Sequence, residues 1–206
     1  MKKWGDIMIE LKRKTNETKI ELKLELYGDG KYDIQSGIGF FDHMLELWSR
    51  HGFFDLELKV KGDLDVDDHH TVEDVGILLG QAINKELANR AGISRFGDVI
   101  LPMDDCLMMT AIDLGGRPFY ESNFKFQRTE VGAFAVELVD EFFRSLVNNA
   151  KINLHFNQLR GENTHHIIEA TFKSFARALD SSLKVEKRLN DKPLSTKGQL
   201  QEGGRH

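Results

Sequence analysis

The chain has 206 residues, of which 40% are hydrophobic and 30% charged, with a net charge of −5 at pH 7. Such a chain can bury a substantial core, and its acidic balance argues against a broadly basic nucleic-acid surface. No apolar run approaches the roughly 20 residues that span a bilayer. Residues 1–6 lack the apolar stretch of an export signal. The single cysteine, Cys106, leaves no intramolecular disulfide framework. A reducing, cytoplasmic setting is expected, without membrane or nucleic-acid partners.

Residues 7–26 hold two strand-like runs split by a turn at Thr15-Asn16-Glu17. The second run alternates strictly, with Ile20, Leu22, Leu24 and Leu26 on one face and Lys19, Glu21, Lys23 and Glu25 on the other. That period of two predicts one buried and one wet sheet face. A short third strand is expected over 31–34. A helix follows from Asp42, as N-cap, to about His51, with Gly52 as its left-handed stop. Residues 54–61 alternate again, and an acidic loop over 62–68 leads into a long helix with Val72, Val75, Leu79, Ala82 or Ile83, and Leu87 on its apolar stripe. Ala91-Gly92 ends that helix.

The second half repeats the order. Strands are expected over 106–114, 119–126 and 151–157, a helix over 139–149, and a last helix with Phe172, Phe175 or Ala176, Leu179 and Leu183 inward. The pattern predicts one domain over 1–200, built from two pseudo-repeats of about 5–94 and 95–192, and a disordered tail at 201–206. Offsets between the halves drift from 88 at the strands (112 − 24) to 98 at the short helices (140 − 42), but element order does not change.

The clearest sign of duplication is chemical. Asp68-His69-His70-Thr71-Val72-Glu73 is echoed 96 positions later (165 − 69) by Thr164-His165-His166-Ile167-Ile168-Glu169. At roughly 100° per helical residue, His69 and Glu73 lie about 40° apart and can share an ion. Adjacent histidines are splayed by roughly 100°, so each is expected to serve a different metal. One such pair is usually a solvated helix start, but two copies that both retain glutamate favour metal binding. Imidazole plus carboxylate without thiolate fits manganese, iron, zinc or nickel. His43 is a further candidate, with Glu141 as its counterpart in the repeat. His51 falls at a helix C-terminus, where the dipole favours an imidazolium. His155 and His206 are left outside the site.

With Phe41-Asp42-His43-Met44-Leu45, the two His-His-x-x-Glu motifs, Arg95-Phe96-Gly97, Gly115-Gly116-Arg117-Pro118 and Glu141-Phe142-Phe143-Arg144 in view, the chain resembles imidazoleglycerol-phosphate dehydratase from about residue 5 to 200. The resemblance implies a duplicated α+β fold, ribosomal protein S5 domain 2-like, with two four-stranded sheets around a helical layer. It implies dehydration of imidazole glycerol phosphate to imidazole acetol phosphate in histidine biosynthesis, through a metal-bound imidazolate and a diazafulvene-like intermediate. It further implies two Mn2+ per subunit, and a 24-mer with active sites where subunits meet.

Carried over by position, the metal set is His43, His69, His70, Glu73, Glu141, His165, His166 and Glu169. Many members have histidine where this chain has Glu141. Glu17, His43 and Glu169 are the catalytic candidates; Glu17 matches a carboxylate that approaches substrate, although a turn carboxylate is the plainer reading of that residue. Arg95, Arg117, Lys173, Ser195 and Lys197 match phosphate-binding positions, and such a mixture of fork-like and point charges suits a dianion. Lys173 also lies one turn after Glu169 and can pair with it. Asp104 matches an acid of open role, and Leu47 stands where some members have glutamine. Two rival readings are a dinuclear phosphoesterase, with phosphate oxygens on the ions, and a metal-assembled storage protein.

Overall fold

A computed structural model describes residues 8–198 and 200; the expected tail at 201–206 lies outside the described residues. The first half runs β1 (Ile9–Lys14), β2 (Lys19–Glu25), β3 (Tyr32–Gln35), α1 (Gly39–Gly52), β4 (Asp55–Lys61) and α2 (His69–Leu87). The second runs β5 (Phe96–Met103), β6 (Cys106–Asp113), β7 (Phe119–Glu121), a small hairpin of β8 (Glu130–Val131) and β9 (Phe134–Ala135), α3 (Leu138–Ala150), β10 (Asn153–Arg160) and α4 (Thr164–Leu183). The two four-stranded sheets have orders β1-β2-β4-β3 and β5-β6-β10-β7. In each, only the last pair is parallel, β3 with β4 and β7 with β10. The duplication is thus a duplication of sheet topology, and the α+β architecture is the expected one.

The helices fill the space between the sheets. α2 packs on β1 and β2, α4 on β5 and β6, and the halves join through α2 on α3 and α1 on α4. Gly76 and Gly80 make the first of these contacts close. A Cβ on Gly76 would lie 2.7 Å from the Phe142 carbonyl oxygen, and one on Gly80 would lie 2.4 Å from that of Leu146. Since residue 76 meets 142 and residue 80 meets 146, α2 and α3 run in the same direction. α1 and α4 do too: Phe40 lies against His165 at 5.4 Å, and Arg177 donates to the His51 carbonyl at 3.2 Å.

The outer faces of the two sheets differ. Alternation in β2 and β4 turns Ile20, Leu22, Leu24, Leu56 and Leu58 inward and leaves an outer lattice of charge, including Lys12–Glu21 at 3.3 Å and Lys23–Glu57 at 2.8 Å. On the second sheet the outward positions include Phe96, Ile100 and Phe119, each at least half exposed, beside Leu107 and Met109.

Several boundaries depart from the expectations. α1 begins at Gly39, so Asp42 is not its cap; the Asp42 carboxylate instead accepts the Ser36 N–H at 2.8 Å. The left-handed stop is Phe53, at φ 59°, and Gly52 stays helical. Gly52 is needed for a different reason: a Cβ there would fall 2.0 Å from the Phe54 ring. α2 ends at Leu87, before Ala91-Gly92. The strand expected over 119–126 is only three residues long, because residues 122–128 leave the sheet for loop contacts such as Lys125 N–H to Gln158. β5 was not anticipated: Phe96 and Ile100 are apolar at exposed outer positions and Gly97 takes an inward one, which breaks the apolar–polar alternation. The repeat drift enters between β7 and α3, where residues 122–137 stand against 36–38 between β3 and α1.

Candidate active site

Both His-His motifs open helices, as their spacing predicts. Asn163 caps α4, its side-chain oxygen accepting the His165 and His166 N–H groups at 3.0 and 3.4 Å. At α2 the Asp67 carboxylate takes the His69 N–H at 3.1 Å. With the backbone so fixed, the imidazoles of each pair stand nearly perpendicular: 88° at 6.2 Å for His69 and His70, and 89° at 6.1 Å for His165 and His166. The splay that helical geometry requires of neighbours shows in the different groups that the rings meet, Glu169 for His165 and Asp105 for His166.

The first histidine and the glutamate one turn later share a face. His165 Nε2 lies 3.3 Å from Glu169. Burial alone would raise the pKa of Glu169, but the Lys173 ammonium at 2.5 Å, with His165 and His43, reverses this and lowers it. His43 is therefore brought to this end of α4, with its Nδ1 3.8 Å from Glu46. In the other helix pair, the Gln81–Asn149 hydrogen bond at 3.3 Å, carried back eight residues along the parallel α2 and α3, sets Glu141 level with Glu73. Glu141 also accepts from Ser145 at 3.5 Å. Each half's glutamate thus faces the short helix of the other half, Glu169 within reach of the His43 charge and Glu73 level with Glu141.

The second histidines turn toward hairpin tips. His70 Nδ1 meets Asp63 at 3.1 Å, and its Nε2 lies 3.9 Å from Glu17 in the β1–β2 turn. His166 Nδ1 meets Asp105 at 2.6 Å, and its Nε2 lies 3.5 Å from Asp104 in the β5–β6 turn. The hydrogen bond to Asp63, with help from Glu17, raises the pKa of His70. The Glu162 N–H, then His166 and the Asn163 N–H, hold Asp105 well below the usual carboxylate range. Asp104 has φ 48°, a left-handed conformation costly for a side-chain-bearing residue. His51 departs from the dipole expectation: burial, then the Lys173 and Arg177 cations, lower its pKa.

Glu17 is set by a small network that the sequence reading overlooked. The Thr15 hydroxyl accepts the Glu17 and Thr18 N–H groups at 3.1 and 2.9 Å. Thr18 and Arg13 both reach the buried Asp74 of α2, at 2.5 and 2.8 Å. The turn carrying Glu17 is so pinned to the helix carrying His70. The signal was legible, because Asp74 puts a charge on the buried stripe with Thr71, Val75 and Leu78.

The donor set is imidazole and carboxylate, and Cys106 is buried, so these residues fit a divalent ion of intermediate hardness. Among the described residues no three His, Cys, Asp or Glu side chains gather into a metal-holding group within one chain.

The anion-binding candidates divide. Arg95, Arg117, Ser195 and Lys197 line one cleft of about 730 Å³ together with Gly115, Arg188 and Lys192, whereas Lys173 does not line it. Arg95 grips Asp113 through two nitrogens, at 2.7 and 3.0 Å, and donates to the Leu194 carbonyl at 2.7 Å. It ties the 193–198 segment over the second sheet while holding φ 69°. Gly115 makes room, as a Cβ there would lie 2.8 Å from the Asp113 carboxylate. Arg188, paired with Glu186, and Lys192 were not anticipated, since nothing in sequence separates them from surface cations. Leu47 packs, partly buried, against the core.

A family model described as imidazoleglycerol-phosphate dehydratase matches residues 36–179. A protein of that name from Clostridium botulinum (strain Langeland) is 51% identical over 188 residues, covering 91% of this chain and 95% of the relative. Its counterpart from Acetivibrio thermocellus is 50% identical over 195 residues, covering 95% and 100%. Among solved structures, the imidazoleglycerol-phosphate dehydratase of Staphylococcus aureus matches with a TM-score of 0.80 at 35% identity, over 87% of this chain and all of that one. That of Pyrococcus furiosus, in complex with (S)-C348, matches at 0.78 and 34%, over 92% and 100%.

Proposed function

The chain belongs to the imidazoleglycerol-phosphate dehydratase family, and we propose that it converts imidazole glycerol phosphate to imidazole acetol phosphate with two Mn2+ ions per subunit. Membership makes it a lyase of histidine biosynthesis. The observation that carries the metal reading is the perpendicular imidazole pair, present twice, each with a glutamate one turn on. His43, His165 and Glu169 are assigned to one ion, and His69, Glu73 and Glu141 to the other, although neither trio gathers closely enough within the single chain to hold an ion by itself. The outward-turned His70 and His166 complete centres contributed by neighbouring subunits. Bound there, Mn2+ supplies Lewis-acid charge beside the substrate's ring nitrogens.

The chain's own groups account for the rest. The proton to be removed lies next to an imidazole ring, so its acidity is weak, and water leaves through a diazafulvene-like intermediate. Glu17, half exposed and 3.9 Å from His70, moves the proton. Lys173 neutralises Glu169 at 2.5 Å and keeps that carboxylate ionised; His43 stands at the same centre. The phosphate takes the cleft of Arg95, Arg117, Ser195 and Lys197, and Lys173 joins it from a neighbouring subunit. A dinuclear phosphoesterase would set phosphate oxygens on the ions instead, and the cleft shares none of its lining with the His motifs.

The reading includes a cytoplasmic 24-mer. The association is supported by the apolar outer face around Ile100 and Phe119. Among the described residues no helix is long and apolar enough to cross a membrane. The test joins Mn2+ content per chain to turnover of imidazole glycerol phosphate. Two ions per chain with dehydration, lost on chelation and restored by Mn2+, is the expected result. Full turnover by metal-free protein would overturn the metal dependence.

A further inference from the structure

Two carboxylates outside the expected metal set stand in the same relation to the two motifs. Asp63, from the loop between β4 and α2, meets Nδ1 of His70 at 3.1 Å. Asp105, from the turn between β5 and β6, meets Nδ1 of His166 at 2.6 Å. The two are not equivalents in the repeat: one precedes its helix directly, the other comes from a hairpin 61 residues earlier. Different parts of the fold thus deliver the same chemistry to the same nitrogen of the same histidine in each motif.

The consequence is one of tautomer. A neutral imidazole carries its proton on one nitrogen and its lone pair on the other. A carboxylate against Nδ1 accepts a proton there, leaves the lone pair on Nε2, and fixes the ring plane. In both motifs the Nε2 so freed points at an acid-bearing hairpin tip, Glu17 at 3.9 Å and Asp104 at 3.5 Å. Of the first histidines, His165 presents Nε2 to Glu169, one turn along its own helix.

We infer that Asp63 and Asp105 are positioning residues, which hold His70 and His166 with Nε2 as the nitrogen offered to a divalent cation. The inference rests on the metal reading above. The anchors differ in kind. The second oxygen of Asp105 accepts the Glu162 and Asn163 N–H groups at 2.7 and 3.1 Å, so Asp105 also shapes the entry to α4. The other oxygen of Asp63 is buried and has no hydrogen-bond partner among the described residues, so its role is devoted to His70. Asp63 is therefore the cleaner residue to change.

The experiment is a Mn2+ titration of the full chain by electron paramagnetic resonance of free Mn2+, alongside thermal unfolding of the metal-free protein. Asp63→Ala should weaken Mn2+ binding by about 10- to 100-fold while the metal-free unfolding midpoint stays near wild type. Asp63→Asn, which keeps an acceptor for Nδ1–H, should recover much of the affinity. In a His70→Ala background Asp63→Ala should add no further loss. Asp105→Ala should weaken Mn2+ as well, with Asp105→Asn closer to wild type. Unchanged Mn2+ affinity in both alanine variants, or an Asp63→Ala loss that persists undiminished in the His70→Ala background, would overturn the inference. A wild-type chain that binds no Mn2+ would overturn instead the metal reading on which it rests.

Discussion

Glu17 shows how much a single residue's role depends on what holds it. On its own it is a turn carboxylate, half exposed, beside a threonine that satisfies the turn's amides. It becomes a candidate proton carrier because Arg13 and Thr18 fasten its turn to Asp74, next to a histidine whose other nitrogen is engaged. Glu17→Gln keeps shape and removes the ionisable group. It should cut kcat for dehydration by at least about 100-fold, the scale of general acid–base contributions, with Mn2+ stoichiometry unchanged. Wild-type turnover in that variant would remove Glu17 from the chemistry. The motif histidines and glutamates could all be named from spacing. Asp63, Asp105 and Asp113 could not, since each acts through a partner 7, 61 or 18 residues away, distances at which sequence pattern carries no geometry.

Among the elements, α2 bears the most consequence, because it touches the first sheet, α3 and the site at once. Its glycines exist for the α3 contact: Gly80→Ala sets a methyl group 2.4 Å from a backbone oxygen that cannot step aside. The expected cost is about 1–3 kcal/mol, read as a lower denaturant midpoint with unchanged slope. A variant as stable as wild type would mean that the helices separate freely. The other end of α2 is tied to β2 by Glu86, whose carboxylate accepts the Leu26 N–H at 2.9 and 3.1 Å. Burial pushes its pKa up to about 7 from an ordinary 4.5. The folded state therefore binds this proton more tightly than the unfolded chain, and the stabilisation present below about pH 4.5 is lost as pH rises through about 7. Glu86→Gln, measured metal-free, should flatten the fall in stability across that window. An identical slope in wild type and variant would contradict the burial argument.

For the whole molecule, the two sheets are alike in topology and unlike in surface. Cross-strand ion pairs such as Lys12–Glu21 and Lys23–Glu57 keep the first sheet's outer face wet; exposed pairs of this kind add little stability. The second sheet offers Phe96, Ile100 and Phe119 outward, an apolar patch of the sort that marks association. Ile100→Asp should shift sedimentation velocity toward smaller species, whereas Glu21→Gln on the opposite face should not. An assembly indifferent to Ile100→Asp would point the interface elsewhere.

Hydrophobic period, turn residues and the repeated motif determined much of this protein without any structure: the duplication, most strands and all four long helices, the imidazole splay and the donor chemistry. These are local properties, set by a few consecutive residues and by the fixed geometry of helix and strand. The tertiary structure decided what depends on pieces far apart in the chain meeting. It set the edge strand β5, whose outer positions break alternation. It gave Gly52 and Gly80 their close approaches, and it set Glu141 level with Glu73 while His43 stands by Glu169. It gathered four of the five expected anion ligands into one cleft and left Lys173 on Glu169. It also brought Asp63 and Asp105 to the same nitrogen of two histidines, a likeness produced by packing that no repeat in the sequence encodes.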